Sequence, residues 1–106
     1  MKTTVCSYRV GRRYILRIDG HSDCDVNGAN PVCACVSVLV AAMWHSLPDE
    51  YKDQAEIESG FARFDIKPSR KDENFISGLF CGVIEGLRLV EKEYPGYIEI
   101  TSEIHP

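Results

Sequence analysis

The sequence predicts an α+β fold in which two helices pack on a small mixed or antiparallel sheet, with the elements in the order ββαββαβ. Segments of alternating apolar and polar residues open the chain, occur again in its middle and close it. Between them lie an apolar segment with a proline at its start and a longer segment with helical spacing of apolar residues. The 106 residues, of which 44% are hydrophobic, suffice for one core, so we expect a single domain over residues 1–106.

The first two strands are predicted at residues 3–10 and 13–19, on either side of a break at Gly11-Arg12. They would form a hairpin that opens the domain. Residues 20–30 follow with the small polar side chains of an irregular loop. Because this loop is long, we expect it to be mobile and to act as a gate whose residues include Ser22, Asp23 and Gly28.

The first helix is predicted from residue 31 to residue 47. Asn30 is a good N-cap, and Pro31 suits the first helical position, where the N–H that proline lacks would have no helical partner. Apolar residues occupy nearly every side of this segment, which predicts a central helix buried almost all round. Leu47-Pro48 is expected to end it.

The second half of the chain predicts another hairpin, a helix and a last strand. Ser59-Gly60 is a turn signal between the alternating segments 55–58 and 61–66. Residues 72–93 repeat apolar side chains with the spacing of an amphipathic helix, and residues 97–104 alternate again. A close approach of another backbone, from the first helix or from a partner subunit, is predicted at the three glycines of this helix, Gly78, Gly82 and Gly86.

Charge and composition exclude several classes of partner. The formal charge is −4 and the isoelectric point is near 5.3, so we expect no direct binding to nucleic acid. No apolar segment reaches the roughly 18 residues that a membrane span requires, and no signal peptide is recognisable. The five irregularly spaced cysteines argue against a disulfide framework. We therefore expect a cytoplasmic protein without a membrane interaction.

His21 and Cys33 are the residues that the sequence predicts as a thiol nucleophile and its base. Cysteine reacts as the thiolate, which the positive end of a helix and a nearby imidazole both favour. With Asn30 as the cap, Cys33 lies in the first helical turn, whose free amides would also stabilise an oxyanion. His21 follows a strand, and the loop after it leads back to Cys33, so the two can meet at one edge of the sheet. Ser37 lies one turn further, on the same helical face as Cys33.

The other histidines are excluded by position, because His45 lies about 18 Å along the helix from Cys33 and His105 is in the terminal tail. A cysteine in an apolar helix is, however, commonly just a small hydrophobic residue. By the same reasoning we expect the core to contain Cys6, Cys35 and Cys81.

A metal site is a further alternative, with the possible zinc ligands His21, Cys24, Cys33 and Cys35. Residues two positions apart on a helix point roughly 200° away from each other, so Cys33 and Cys35 cannot easily face one ion. We therefore expect neither a metal nor another cofactor.

The segments Asp19-Gly20-His21, Val32-Cys33-Ala34 and Ser37, with twelve residues from the histidine to the cysteine, resemble the ribosomal-processing cysteine proteases of bacteria. Chain length and element order agree with that family. The resemblance implies a homodimer that removes a short amino-terminal extension from a large-subunit ribosomal protein, cutting after an aromatic pair. By position, Cys33 would be the nucleophile and His21 the base, with Ser37, Ala34 and Asn30 in supporting roles. Relatives in phage-derived gene clusters imply a phage structural protein as the substrate instead.

One departure from the family pattern is Asn30-Pro31, which stands where the family usually has an aspartate followed by an aliphatic residue. Asn30 can still cap the helix, but the carboxylate that would tune the site is missing. The sequence therefore leaves three hypotheses: a cysteine endopeptidase, a noncatalytic dimeric interaction protein that keeps the fold, and, against the geometric argument above, a small metal-binding protein.

Overall fold

The chain follows the predicted order ββαββαβ, with two short 3-10 helices added at Asp49–Gln54 and Arg70–Asp72. A computed structural model describes residues 1–104. The strands are β1 (Thr3–Val10), β2 (Arg13–Asp19), β3 (Ala55–Glu58), β4 (Phe61–Ile66) and β5 (Ile98–Ser102). The helices are α1 (Pro31–Ser46) and α2 (Glu73–Glu93). The predicted α+β class is confirmed.

The five strands form one mixed sheet in the order β3-β4-β2-β1-β5. All neighbours are antiparallel except β1 and β5, which run parallel. The pairing of β2 with β4 places Asp19 opposite Phe61. Residues that follow β2 therefore lie beside the turn that joins β3 to β4, and this register brings two distant parts of the sequence together.

The core lies between one face of the sheet and the two helices. Along β1, Thr3, Val5 and Ser7 are buried while the residues between them are exposed, as expected for a sheet with one covered face. Burying a large apolar side chain stabilises the fold by about 1.5–3 kcal/mol. Fully buried side chains of this kind come from both layers and include Leu16, Phe64, Met43, Ile76, Phe80 and Leu87.

The expectation that α1 is buried almost all round is wrong. Only Val32, Val36, Val40 and Met43 of this helix are buried, and Val38 is 67% exposed. Helix α2 packs along one side of α1, and the 3-10 helix Asp49–Gln54 contacts its end, where the Trp44 indole N–H donates to the Lys52 carbonyl oxygen. Apolar composition indicates which faces could be buried, but the neighbouring elements decide which of them are. The result is an exposed apolar face of α1.

Only one of the three glycines of α2 is approached closely by another part of the chain. At Gly86 an added Cβ would lie 2.7 Å from Leu39 Cδ2, so α1 does approach the helix closely at this position. At Gly78 and Gly82 an added Cβ would meet nothing within 4 Å. The predicted close approach is therefore confined to Gly86, and it comes from α1 of the same chain.

The cysteine assignments also require correction. Cys6 and Cys35 are exposed, and Cys81 is only partly buried, although burial raises the pKa of its thiol. The cysteine in the core is Cys24, which is 3% exposed. Cys6 is exposed because it points to the open face of the sheet, and Cys35 because it lies on the uncovered side of α1. All five cysteines are free thiols.

No helix within residues 1–104 combines the length and the apolar character needed to cross a bilayer.

Candidate active site

A groove of about 300 Å³ runs between α1 and the hairpin of β3 and β4. One side of α1 forms a wall over three turns, with lining residues that recur every three or four positions from Cys33 to His45. The hairpin forms the facing wall, and Thr3 and Ile18 contribute from β1 and β2. His21 and Cys33 both line this groove, which is mainly apolar. Both side chains are therefore accessible from one cavity.

His21 is positioned by the turn between β3 and β4. The N–H of Gly20 donates a hydrogen bond to the Gly60 carbonyl oxygen at 2.8 Å, which fixes the end of β2 to that turn. Gly60 has φ +74°, and an added Cβ would lie 2.6 Å from His21 Nε2. The imidazole therefore packs directly on a residue that must be glycine, both for its backbone conformation and for the space the ring occupies.

Cys33 is positioned by the start of α1. The predicted cap is confirmed: Asn30 Oδ1 accepts the Cys33 N–H at 3.0 Å, and Pro31 follows in the first turn. Two amides of the predicted oxyanion site are already hydrogen-bonded within the protein. The N–H of Cys33 donates to Asn30 Oδ1, and the N–H of Ala34 donates to the Asn30 carbonyl oxygen. Neither amide is free to bind a substrate oxygen in this arrangement.

The hydrogen-bond partners of the Cys33 sulfur are on Ser22. Sγ lies 3.7 Å from the Ser22 hydroxyl oxygen and 3.9 Å from the Ser22 carbonyl oxygen. Among the described contacts, none is a hydrogen bond between His21 and Cys33, although both side chains line one groove. The structure thus places the two side chains in one groove without joining them by a hydrogen bond.

The remaining predicted residues are distributed over two surfaces. Ser37 lines the groove together with Cys33, as its position one turn along the helix predicts. Ala34 points to a second, apolar groove between α1 and α2 and does not line the first one. His45 lines the first groove, three helical turns from Cys33 and edge-on to Trp44. His105 lies outside the described residues.

The loop from residue 20 to residue 30 is held at its start and closed at its tip. Ser22 and Cys24 are buried, and the N–H of Asp23 donates to the Met1 carbonyl oxygen at 3.4 Å. At the tip, the N–H of Gly28 donates to Asp25 Oδ1 at 2.9 Å. The role of this loop as a gate stays a prediction.

The proposed ligands of a zinc site are not gathered around one point. Cys24 is in the core and Cys35 is on the exposed side of α1. Over residues 1–104, no three His, Cys, Asp or Glu side chains are arranged to hold a metal ion.

The family of this chain is identified by its sequence. A family model described as cysteine protease Prp matches residues 1–99. The chain belongs to the Prp family of cysteine proteases. A sequence comparison with curated proteins found no significant match.

Solved structures with the Prp fold cover nearly the whole chain. An essential ribosomal processing protease Prp from S. aureus, in complex with a covalently linked product peptide, is 18% identical, covers 95% of this chain and 99% of its own, and gives a TM-score of 0.72. The same S. aureus protease with a substrate peptide gives a TM-score of 0.69 at 17% identity, again with 95% and 99% covered. SMU.848 from Streptococcus mutans gives 0.69 at 19% identity and covers 96% of both chains. At these identities the structures establish the shared fold.

Sequence reasoning missed the contribution of the second hairpin to this Prp-family groove. Ser59-Gly60 predicts a turn, but nothing local indicates that the turn supports His21. Ile57 and Phe61 line the groove on either side of it. The β2–β4 pairing would have revealed this role, since it places the end of β2 beside the turn.

Proposed function

We propose that this Prp-family protein is a cytoplasmic cysteine endopeptidase in which Cys33 is the nucleophile and His21 its base. The observation that carries the proposal is that, in a member of a cysteine-protease family, His21 after β2 and Cys33 at the start of α1 line one groove. Five free thiols suit a reducing compartment.

The chemistry is acyl transfer in two steps. His21 takes the thiol proton, Cys33 Sγ bonds to the carbonyl carbon of the scissile peptide, and the amine leaves with the proton that His21 returns. His21 then takes a proton from water, whose oxygen bonds to the thioester carbon. The C–S bond breaks, the new carboxyl end leaves, and His21 returns the proton to the Cys33 sulfur. Because the Cys33 amide is already bonded, we assign orientation of the substrate carbonyl to the Ser37 hydroxyl in the same groove.

The substrate we propose is a large-subunit ribosomal protein with a short amino-terminal extension that ends in an aromatic pair. The groove spans about 18 Å of α1, the length of about five extended residues. Trp44, Ile57 and Phe61 give it an apolar lining suited to aromatic side chains. The S. aureus relative is a ribosomal processing protease with a peptide bound, which supports the same class of substrate here.

Mass spectrometry of a purified, extended ribosomal protein from the same organism tests this proposal. In reducing buffer we expect a single cut after the aromatic pair. The matched control substrate carries two alanines in place of that pair and should remain intact. A phage structural protein of the same organism is assayed in parallel. If only the phage protein is cleaved, it and not the ribosomal protein is the substrate. If neither protein is cleaved, the protease proposal is contradicted.

The exposed apolar face of α1 favours a second property, homodimerisation, which the noncatalytic alternative also requires. The groove between the helices is lined only by small or apolar residues, among them Val38, which is 67% exposed; Leu89, next to the lining residue Val90 in the sequence of α2, is also 67% exposed. A contiguous apolar surface of this kind commonly marks a protein interface. We propose that two copies pair through this face, which lies on a different side of α1 from the groove with Cys33.

Val38→Glu is expected to shift the protein from dimer to monomer, because it would place a charge in an apolar interface. Light scattering coupled to size-exclusion chromatography at micromolar concentration measures the mass. The matched control is Val10→Glu, at an exposed valine at the end of β1. A wild-type monomer, or a dimer that survives Val38→Glu, would contradict this interface. A dimer without any proteolysis would favour the noncatalytic alternative.

A further inference from the structure

The Ser22 hydroxyl occupies a buried position between the helix cap and the reactive sulfur. Ser22 is 5% exposed, and its hydroxyl oxygen lies 3.2 Å from Asn30 Oδ1 and 3.7 Å from Cys33 Sγ. A hydroxyl has one proton, so it can donate to only one of these two atoms at a time, while its lone pairs can accept from the thiol. The Ser22 hydroxyl can therefore donate either to Asn30 Oδ1 or to Cys33 Sγ.

The orientation of the Asn30 amide is fixed by its neighbours. Nδ2 donates to the Ser22 carbonyl oxygen at 2.8 Å, and Oδ1 accepts from the Cys33 N–H at 3.0 Å. An aspartate could accept from the same N–H but could not donate to the Ser22 carbonyl. The amide thus connects the loop to the start of α1 through a contact that the carboxylate typical of the family would not make.

We propose that Ser22 is a positioning residue whose hydroxyl donates to Asn30 while Cys33 is a thiol and to the sulfur once Cys33 is a thiolate. The thiol S–H bond breaks, its proton goes to the His21 imidazole, and the Ser22 O–H bond stays intact while its direction changes. Oδ1 keeps the Cys33 N–H as its donor throughout. The inference rests on the proposed function only in that Cys33 acts as a thiolate.

The neutrality of Asn30 is essential to this exchange. A carboxylate at position 30 would hold the Ser22 hydroxyl by a stronger, charge-assisted hydrogen bond and would put a negative charge close to the sulfur. Both effects disfavour the thiolate. The other ionisable side chains that line the groove are His21, His45 and Glu58, and these remain the same in the variants below.

Iodoacetamide alkylation of the full-length protein, followed by peptide mapping, tests the inference without a peptide substrate. At neutral pH we expect Ser22→Ala and Asn30→Asp each to slow alkylation of Cys33 by about tenfold, the effect of one hydrogen bond to a charged group. The rates of variant and wild type should converge at alkaline pH, where every copy of the thiol is ionised. Exposed Cys35 in the same sample is the internal reference, and Ser46→Ala is the matched serine control.

The two variants separate this role from a merely structural one. Asn30→Asp keeps the helix cap and the side-chain size but loses the hydrogen bond from Nδ2 to the Ser22 carbonyl oxygen, so we expect a modest decrease in thermal stability and a folded protein. Loosening of the loop would expose the sulfur and speed alkylation at every pH. Cys33 reacting at least as fast in Ser22→Ala as in the wild type, or unchanged in Asn30→Asp, would overturn the proposal. A protein that shows the expected rates yet cleaves no substrate would refute the protease function and leave the Ser22 assignment standing.

Discussion

Cys33→Ser is expected to reduce cleavage of the extended ribosomal protein by at least about 1,000-fold, and His21→Ala by a similar factor. A serine hydroxyl at the same position is far less ionised than a thiol, so the variant would lack the anionic nucleophile that attacks the peptide carbonyl. Without the imidazole, no base in the groove next to the sulfur would accept its proton or return it to the leaving amine. Rates from mass spectrometry, with substrate well below saturation, give kcat/KM for each variant.

Nucleophile and base act as a unit in this mechanism, so their effects should not add. The double variant is expected to be about as inactive as either single variant. The matched control is Cys6→Ser, which removes an exposed thiol from the open face of the sheet. Circular dichroism checks that all variants are folded. If Cys33→Ser still cleaves at the wild-type rate, another residue is the nucleophile.

The elements of the fold could be predicted because their signals are local. Asn30-Pro31 marks the start of α1, and the structure shows the cap at Asn30. Burial was predicted less well, because it depends on neighbours that the sequence does not specify. The apolar surface of α1 is covered on only part of its circumference, and of three aligned glycines only Gly86 is approached closely.

In the candidate site, too, local features could be predicted from the sequence and long-range contacts could not. Cys33 could be placed in the first turn of α1 from the residues around it. The support of His21 by Gly60 depends on the pairing of β2 with β4, which no pattern near either residue indicates. The contact of Ser22 with the sulfur depends on how the loop folds back on the cap. Long-range register and loop conformation are thus what sequence patterns could not supply.

Gly60→Ala is expected to reduce kcat/KM for peptide cleavage by about 100-fold, because a displacement of a catalytic group by about 1 Å can have an effect of that size. The new methyl group would lie 2.6 Å from His21 Nε2 and 3.0 Å from Cδ2, so the imidazole must move. A side-chain ring moves more readily than a backbone, and the displacement therefore falls on the proposed base. The rate of cleavage is measured by mass spectrometry as above.

Gly11→Ala is the matched control for this prediction, because Gly11 is also in a hairpin turn, has φ +59°, and has nothing within 4 Å of an added Cβ. Both alanines adopt a left-handed backbone conformation, which costs about 1–2 kcal/mol of stability, and both variants should lose stability to a similar extent in chemical denaturation. Only Gly60→Ala also displaces the imidazole. Equal activities of the two variants would show that the position of His21 does not depend on Gly60. A loss confined to Gly60→Ala at equal stability would identify the turn between β3 and β4 as the support of the base.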